Sequence, residues 1–342
     1  MGVTYVKEVM SPEELLAEYP LPEAHKKLKD QKDAEIAKVF TGESDKFLVI
    51  IGPCSADNED SVCDYINRLA KVQEKVSDKI IIIPRIYTNK PRTTGEGYKG
   101  IVHQPDPEKA PDLLEGLIAM RKMHLRSIAE THLFAADEML YPENTVYCDD
   151  LLSYTAVGAR STENQQHRLV ASGSDTCVGF KNPMNGSLSV LINSIYAAQI
   201  PNEFKYLNKQ VRTTGNEYAH AILRGSVDAS GRNVPNYHYE DVMQLAELYA
   251  EQGLKNAAVV IDANHSNSGK RPFEQIRIAK EIIGNKTSYR AFGMFVKGLM
   301  IESYIEDGNQ SPDGNVYGKS ITDACLGWEK TERLIYDIAE KL

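Results

Sequence analysis

No apolar run in this 342-residue chain approaches the ~20 residues needed to cross a bilayer as a helix. The start, MGVTYVKEVMSPEE, has no hydrophobic signal region, so a cytoplasmic protein is expected. Positive charge is in deficit: the net charge of −9 argues against nucleic acid or an anionic membrane as partner. Cysteine is scarce. The five (Cys54, Cys63, Cys148, Cys177, Cys325) are odd in number and widely scattered, which argues against a disulfide scaffold. Also missing are short internal repeats, low-complexity tracts and any Gly-rich phosphate fingerprint after the first apolar run.

What is present is an ordinary globular composition, 42% hydrophobic and 25% charged, long enough for one large barrel or two smaller domains. The most informative stretch is KIIIIPRIYTNKPRTTG, Lys79 to Gly95. Ile80 to Ile83 have no polar face, as expected of a strand covered on both sides, and Pro84 ends its pairing. Arg85, Lys90, Arg92, Thr93 and Thr94 follow on a Pro- and Gly-bounded loop, the groups that phosphate and carboxylate oxygens call for. An isolated basic loop is more often just solvated. The pattern of apolar strand and then polar functional residue recurs, however, along the whole chain.

Residues 1–45 read as a polar, helical extension. Ser11-Pro12-Glu13-Glu14 is a helix start, and Tyr19-Pro20-Leu21-Pro22 separates it from a second helix over Glu23 to Phe40. Strands are then expected at Phe47–Ile51, Ile80–Ile83, Arg126–Ala129, Thr155–Gly158, Thr176–Phe180, Ala219–Leu223, Ala257–Ile261 and Phe292–Ile301. Helical patterns fill most of the gaps, among them one opened by a Thr162/Gln165 capping box, one capped by Ser187 and a closing helix over 322–342. Eight strands alternating with helices over residues 46–342 predict a (β/α)8 TIM barrel behind the extension. A doubly wound sheet is the alternative, and the absent fingerprint speaks against it.

In such a barrel the strands' carboxyl ends converge on one face. That face would gather Cys54, Arg85, Glu130, Arg160, Lys181, Arg224, His265 and Glu302, joined by Lys90 and Arg92. So many cations at one mouth of an acidic chain point to an anionic ligand with more than one phosphate or carboxylate. Cys54, His265, Glu302 and Asp323 have no compact metal-motif spacing, and each alone reads as core or cap. Together they form a mixed S/N/O set suited to a divalent transition metal with a position open for substrate. Lys181 leaves a metal-free Schiff-base aldolase open, and a non-catalytic anion sensor is a third reading.

The motifs Ile51-Gly52-Pro53-Cys54-Ser55, Lys90-Pro91-Arg92-Thr93-Thr94, Gly158-Ala159-Arg160-Ser161-Thr162-Glu163, Gly179-Phe180-Lys181-Asn182, Ile222-Leu223-Arg224-Gly225 and Tyr317-Gly318-Lys319-Ser320-Ile321-Thr322-Asp323 occur in that order. From about residue 45 to the end the chain resembles the 3-deoxy-D-arabino-heptulosonate-7-phosphate (DAHP) synthases, type I alpha. That branch includes the aromatic-amino-acid-sensitive bacterial enzymes. The related synthase of the eight-carbon 3-deoxy sugar shares the barrel and the GPC turn but differs at KPRTT.

The resemblance implies metal-dependent condensation of phosphoenolpyruvate with erythrose 4-phosphate, the first step of the shikimate pathway. It places Arg85, Ala159, Arg160, Lys181 and Arg224 around phosphoenolpyruvate, with Arg92 and Thr93 on the erythrose phosphate. Cys54, His265, Glu302 and Asp323 would hold one divalent ion (Mn2+, Fe2+, Co2+ or Zn2+). Lys90, Glu130 and His265 would be catalytic, Lys90 as proton donor to the developing alkoxide and Glu130 orienting the attacking water. A homodimer or homotetramer inhibited by an aromatic amino acid is expected, the extension serving assembly or regulation. Three departures stand out: Asn264 where a serine is common, a longer link around Asp137–Asn144, and different residues at Ser174-Asp175 and Lys205-Tyr206, where sensitive enzymes build their effector pocket.

Overall fold

Eight short parallel strands form the centre of the molecule in the computed structural model, which describes residues 2–92, 95–106 and 109–342. They are β1 Phe47–Gly52, β2 Ile80–Pro84, β3 Ala135–Glu138, β4 Leu152–Val157, β5 Cys177–Lys181, β6 His220–Leu223, β7 Val259–Asp262 and β8 Val296–Glu302. Their order is β2-β1-β8-β7-β6-β5-β4-β3, so each strand lies beside its sequence neighbour and β1 pairs with β8. A single bridge, Arg85 to Ala136, joins β2 to β3 and brings the sheet round. This is the expected (β/α)8 barrel.

The strands are buried on both faces because alternate side chains serve two cores. Leu48, Ile50, Ile81, Ile83, Ala156 and Met300 fill the barrel interior. Phe47, Val49, Ile51, Ile80 and Ile82 face the surrounding helices. Those helices include α1 Pro12–Glu18, α2 Glu23–Thr41, α3 Glu59–Val76, α4 Leu113–Thr131, α5 Gln165–Ala171, α6 Leu188–Gln199, α7 Tyr239–Gln252, α8 Glu274–Ser288 and α9 Trp328–Lys341. The extension is thus two helices, and Ser11 with Glu14 makes the capping box at the start of α1. Helix α2 does more than lie alongside. Its Ile36, Val39 and Phe40 join the interior core, and the Phe40 ring sits 4.3 Å from the His220 ring, closing the barrel at the end opposite the strands' carboxyl termini.

Four sequence readings are corrected. Arg126–Ala129 is not a strand but part of α4, whose Leu117, Met120 and Ile128 face the core at helical spacing. The third strand is Ala135–Glu138, inside the link expected to be a long loop; after it come a tight turn and a short helix, Pro142–Thr145. Helix α5 is capped by Asn164, whose side chain accepts from the Gln166 and His167 amides, and not by Thr162. The Thr162 hydroxyl donates to the carbonyls of Lys181 (2.6 Å) and Gly158 (3.2 Å), tying the loop after β4 to β5. Finally, the chain before β8 is helical over Arg290–Phe295, and the last helix begins at Trp328.

Candidate active site

The strands' carboxyl ends open on a cavity of about 310 Å³. Arg85, Lys90, Arg92, Ala159, Arg160, Lys181 and Arg224 line it, together with Cys54, His265 and Asp323. Glu302, the last residue of β8, is 1% exposed and binds Arg85 of the lining at 2.7 Å. Thr93 lies outside the described residues. Glu130 is the exception: it sits on α4, bound by Arg126 (2.8 Å) and Asn67 (2.6 Å), on the far side of the helix layer from the mouth. The carboxylate at the end of the real β3 is Glu138, which lines the cavity with its Oε2 3.5 Å from Lys181 Nζ. Gly158 makes room for it, since a Cβ there would come within 2.5 Å of Glu138 Oε1.

Cys54, Glu302 and Asp323 offer one donor atom each, all within 4.8 Å of one another. His265 Nε2 is 3.7 Å from Glu302 Oε1, so the fourth expected ligand borders the same group. The His265 backbone is left-handed (φ 49°), uncommon for a non-glycine residue. Its Nδ1 faces Asp262 Oδ2 at 2.8 Å, although the angle is not that of a hydrogen bond. Asn264 donates to Glu302 Oε2 at 2.6 Å, so the asparagine steadies a ligand-type carboxylate.

The Lys90 ammonium touches two of these donors, Cys54 Sγ at 2.7 Å and Asp323 Oδ2 at 3.0 Å. A cation is therefore already accommodated there, and thiol, imidazole and carboxylate donors suit a divalent transition metal. Burial opposes the charge on Asp323, but Lys90 and Lys270 outweigh it and hold the carboxyl well below the usual range. Burial likewise works against Glu302, yet Arg85 and His265 depress its carboxyl. The Cys54 thiol is pushed up by burial and by Glu302, against the pull of Lys90. A bound cation would reverse that balance.

The cation ring has an unfinished partner list. Arg85 is 2% exposed, stacks on Tyr87 (3.8 Å) and donates one nitrogen to Glu302 at 2.7 Å. Among the described residues its Nε and Nη1 have no hydrogen-bond partner. Two buried, idle guanidinium donors beside a polar cavity need an acceptor from outside the protein. Lys181 is flanked by Glu138 and Asp262 (3.7 Å), with the Tyr87 ring 5.5 Å away. Arg224 is 5% exposed, and burial lowers its basicity.

A match to the DAHP synthetase I family extends over residues 23–335. The chain belongs to the DAHP synthetase I family. It is 37% identical to the phospho-2-dehydro-3-deoxyheptonate aldolase of Haemophilus influenzae, over 98% of this chain and 92% of that one. It is 36% identical to the Phe-sensitive enzyme of the same name from Escherichia coli K12, over 99% and 96%. The solved aldolase from Francisella tularensis superposes with a TM-score of 0.91 at 31% identity, covering 99% and 98% of the two chains.

The family motifs thus sit on loops that converge. Sequence reading missed Glu138, Asp262, Lys270 and Asn264 as contributors. For Glu138 a signal existed: the apolar tetrad Leu133–Ala136 directly follows His132, which stops α4 in a left-handed conformation (φ 58°). For Lys270, nothing in linear order announces its 3.1 Å contact with Asp323.

A second cavity, about 380 Å³, opens between the segment after β3 and a hairpin (Glu203–Tyr206 with Lys209–Arg212). Met139, Val146, Phe204, Tyr206 and Val211 give it apolar walls, with Asp149 and Ser174 as polar groups. No helix among the described residues is long and apolar enough to cross a membrane.

Proposed function

We propose that the protein condenses phosphoenolpyruvate with D-erythrose 4-phosphate and water, giving DAHP and phosphate, the first step of the shikimate pathway. The observation that carries this reading is the meeting of two sets in one cavity: the Cys54/Glu302/Asp323 donors and a cation ring in which Arg85 has two idle buried donors. Two phosphorylated substrates bring roughly five negative charges, which such a ring neutralises in a site of low dielectric. Arg85, Arg160, Lys181, Arg224 and the Ala159 backbone would hold phosphoenolpyruvate, and Arg92 with Thr93 the erythrose phosphate.

Lys90 would stand between the substrates and protonate the alkoxide that forms when the aldehyde carbon is attacked. Glu138 takes the role first given to Glu130, orienting water toward the second carbon of phosphoenolpyruvate, with Lys181 at its side. A divalent ion on Cys54, His265, Glu302 and Asp323 would supply Lewis acidity to the aldehyde oxygen. The deciding experiment is phosphate release from phosphoenolpyruvate with erythrose 4-phosphate, with and without chelator. Activity abolished by chelation and restored by Mn2+ is expected. Full activity in metal-free protein, or trapping of a Lys181 adduct by borohydride, would favour the Schiff-base aldolase instead.

The second cavity is read as a site for an aromatic amino acid, because its walls are apolar with a few polar groups. Relatives of this chain are named Tyr-, Phe- and Trp-sensitive. The extension touches both segments that border the cavity: Tyr147 donates to the Met10 carbonyl at 2.8 Å, and Lys209 pairs with Glu13 at 3.3 Å. Titration of Phe, Tyr and Trp on the intact enzyme tests this reading, and no inhibition by any of them would remove it. Val3, Tyr5 and Val6, exposed ahead of α1, are read as a contact of a homodimer or homotetramer, which light scattering would measure.

A further inference from the structure

Strand β3 carries an acid where a barrel strand ordinarily carries an aliphatic residue. Ala136 belongs to the interior core and Glu138 to the cavity, so Asp137 between them points outward, toward the helix layer. It is 4% exposed and borders a small cleft with Met120 of α4, Cys148 and Leu152. A carboxylate buried there without partners would be strongly unfavourable. Three donors meet it. The Thr88 amide donates to Oδ1 at 2.9 Å, the Thr88 hydroxyl donates to Oδ2, and the Glu138 amide donates to Oδ1 at 2.7 Å. Among the described residues no lysine or arginine forms an ion pair with Asp137.

The residues that donate adjoin the two reacting walls of the main cavity. Thr88 precedes Lys90 by two positions, and Glu138 is itself the carboxylate beside Lys181. Pairing of β2 with β3 stops at the Arg85–Ala136 bridge, where Ile86 N–H still reaches the Ala136 carbonyl at 2.9 Å. Beyond that point the Asp137 side chain takes over from the ladder. Its grip is passed on, since the Thr88 carbonyl accepts from Val102 N–H (3.2 Å) and Lys90 N–H donates to the Lys99 carbonyl (2.9 Å). A Cβ on Gly100 would come within 2.3 Å of the Thr88 carbonyl, so this stretch has little room to shift.

We infer that Asp137 is a positioning residue, a clamp that fixes the Lys90 loop and Glu138 in one mutual geometry. The importance of that geometry rests on the synthase reading; the clamp itself does not. Burial pushes the Asp137 carboxyl up to about 7, against the Thr88 and Glu138 donors that favour its charge. The titratable groups facing it are Glu138 on its own strand, Tyr87 from the loop after β2, and Tyr141 and Cys148 from the segment after β3. Helix α4 contributes the uncharged Met120 to the same cleft. An ionised carboxylate accepts all three donors. A protonated one turns its own O–H toward the Thr88 hydroxyl and gives up an acceptor. The clamp therefore tightens as pH rises through neutrality.

The experiment compares wild type, Asp137→Asn, Asp137→Ala and Thr88→Val in steady-state kinetics across neutral pH, with amide hydrogen exchange as an activity-independent readout. Asp137→Ala and Thr88→Val should speed exchange in the peptide containing Thr88. They should lower kcat about tenfold or more while KM for phosphoenolpyruvate stays within about twofold. Wild-type kcat/KM should rise through neutral pH by a step that Asp137→Asn lacks. If Asp137→Ala does not fold, Thr88→Val, which keeps the carboxylate, decides. Unchanged exchange in the variants, or faster exchange with wild-type kcat and pH profile, overturns the inference. A wild-type protein that makes no DAHP while exchange still responds to Asp137→Ala would sink the synthase reading and leave the clamp standing.

Discussion

Arg85 and Arg224 reach the cavity from different strands and carry different burdens. Arg85 is bound to Glu302 and stacked on Tyr87, so its removal would strand a buried carboxylate as well as lose an anion contact. Arg224 has lighter ties: its guanidinium touches the Met184 sulfur at 3.3 Å, and among the described residues no acid lies within ion-pair distance of it. Arg224→Ala is therefore the cleaner probe of anion binding. A guanidinium–phosphate contact is worth about 1.5–3 kcal/mol. Under the proposed function, kcat/KM for phosphoenolpyruvate should fall roughly ten- to hundred-fold or more, with thermal stability little changed. Unaltered phosphoenolpyruvate kinetics would show that β6 does not deliver a substrate-binding residue.

Among the elements, α2 and β3 are where local sequence and tertiary role part company. Helix α2 is polar over most of its length, and its three buried residues, Ile36, Val39 and Phe40, all lie near its carboxyl end. Those three close the barrel floor, a role that a surface-helix reading would not give them. Phe40→Ala should cost about 3–5 kcal/mol, as for other buried aromatics cut to alanine. Denaturant unfolding would measure it, and a loss below about 1 kcal/mol would mean that the floor does not need the ring. Strand β3, Ala135-Ala136-Asp137-Glu138, has no β-branched residue and two acids. Propensity cannot find it. It is a strand because Arg85 and β4 flank it, and its two acids are there for Thr88 and Lys181 respectively.

For the molecule as a whole, stability and pH are linked through buried groups of both kinds. His124 is fully buried on α4 with neither ring nitrogen hydrogen-bonded among the described residues, and burial, helped by Arg121, pulls its pKa down to about 4. The unfolded chain takes up that proton near 6.5, so the stability tied to neutral His124 is complete above 6.5 and is lost as pH falls toward 4. Asp137 has the opposite sign: with its carboxyl raised to about 7, the global stability tied to its protonated form is complete below the ordinary carboxylate range and is lost as pH rises through neutrality, while the ionised carboxylate completes the local hydrogen bonds of the clamp. His124→Leu should therefore gain on wild type as pH falls from 6.5 to 4, by up to about 3 kcal/mol. Melting curves of the two proteins at successive pH values check this. A constant difference in Tm would show that His124 does not titrate with unfolding.

The sequence by itself determined the barrel, the order of its strands and the face on which chemistry would gather. Fully apolar runs such as Ile80–Ile83 are buried on both sides in almost any setting, and a residue just past such a run is carried to the carboxyl end. In the structure Cys54, Arg85, Lys181, Arg224 and His265 line the cavity, and Glu302 ends β8. Tertiary structure alone decided what linear order does not encode. Lys270 and Lys90 reach Asp323 across the mouth, and Asn264 reaches Glu302 between strands. It also put Glu138, and not Glu130, among the carboxylates that line the cavity, a choice for which the sequence offered only the short apolar tetrad Leu133–Ala136. The physical reason is that β3 is defined by its neighbours: its own four residues carry too little hydrophobic pattern, while the helix before it carries enough to imitate a strand.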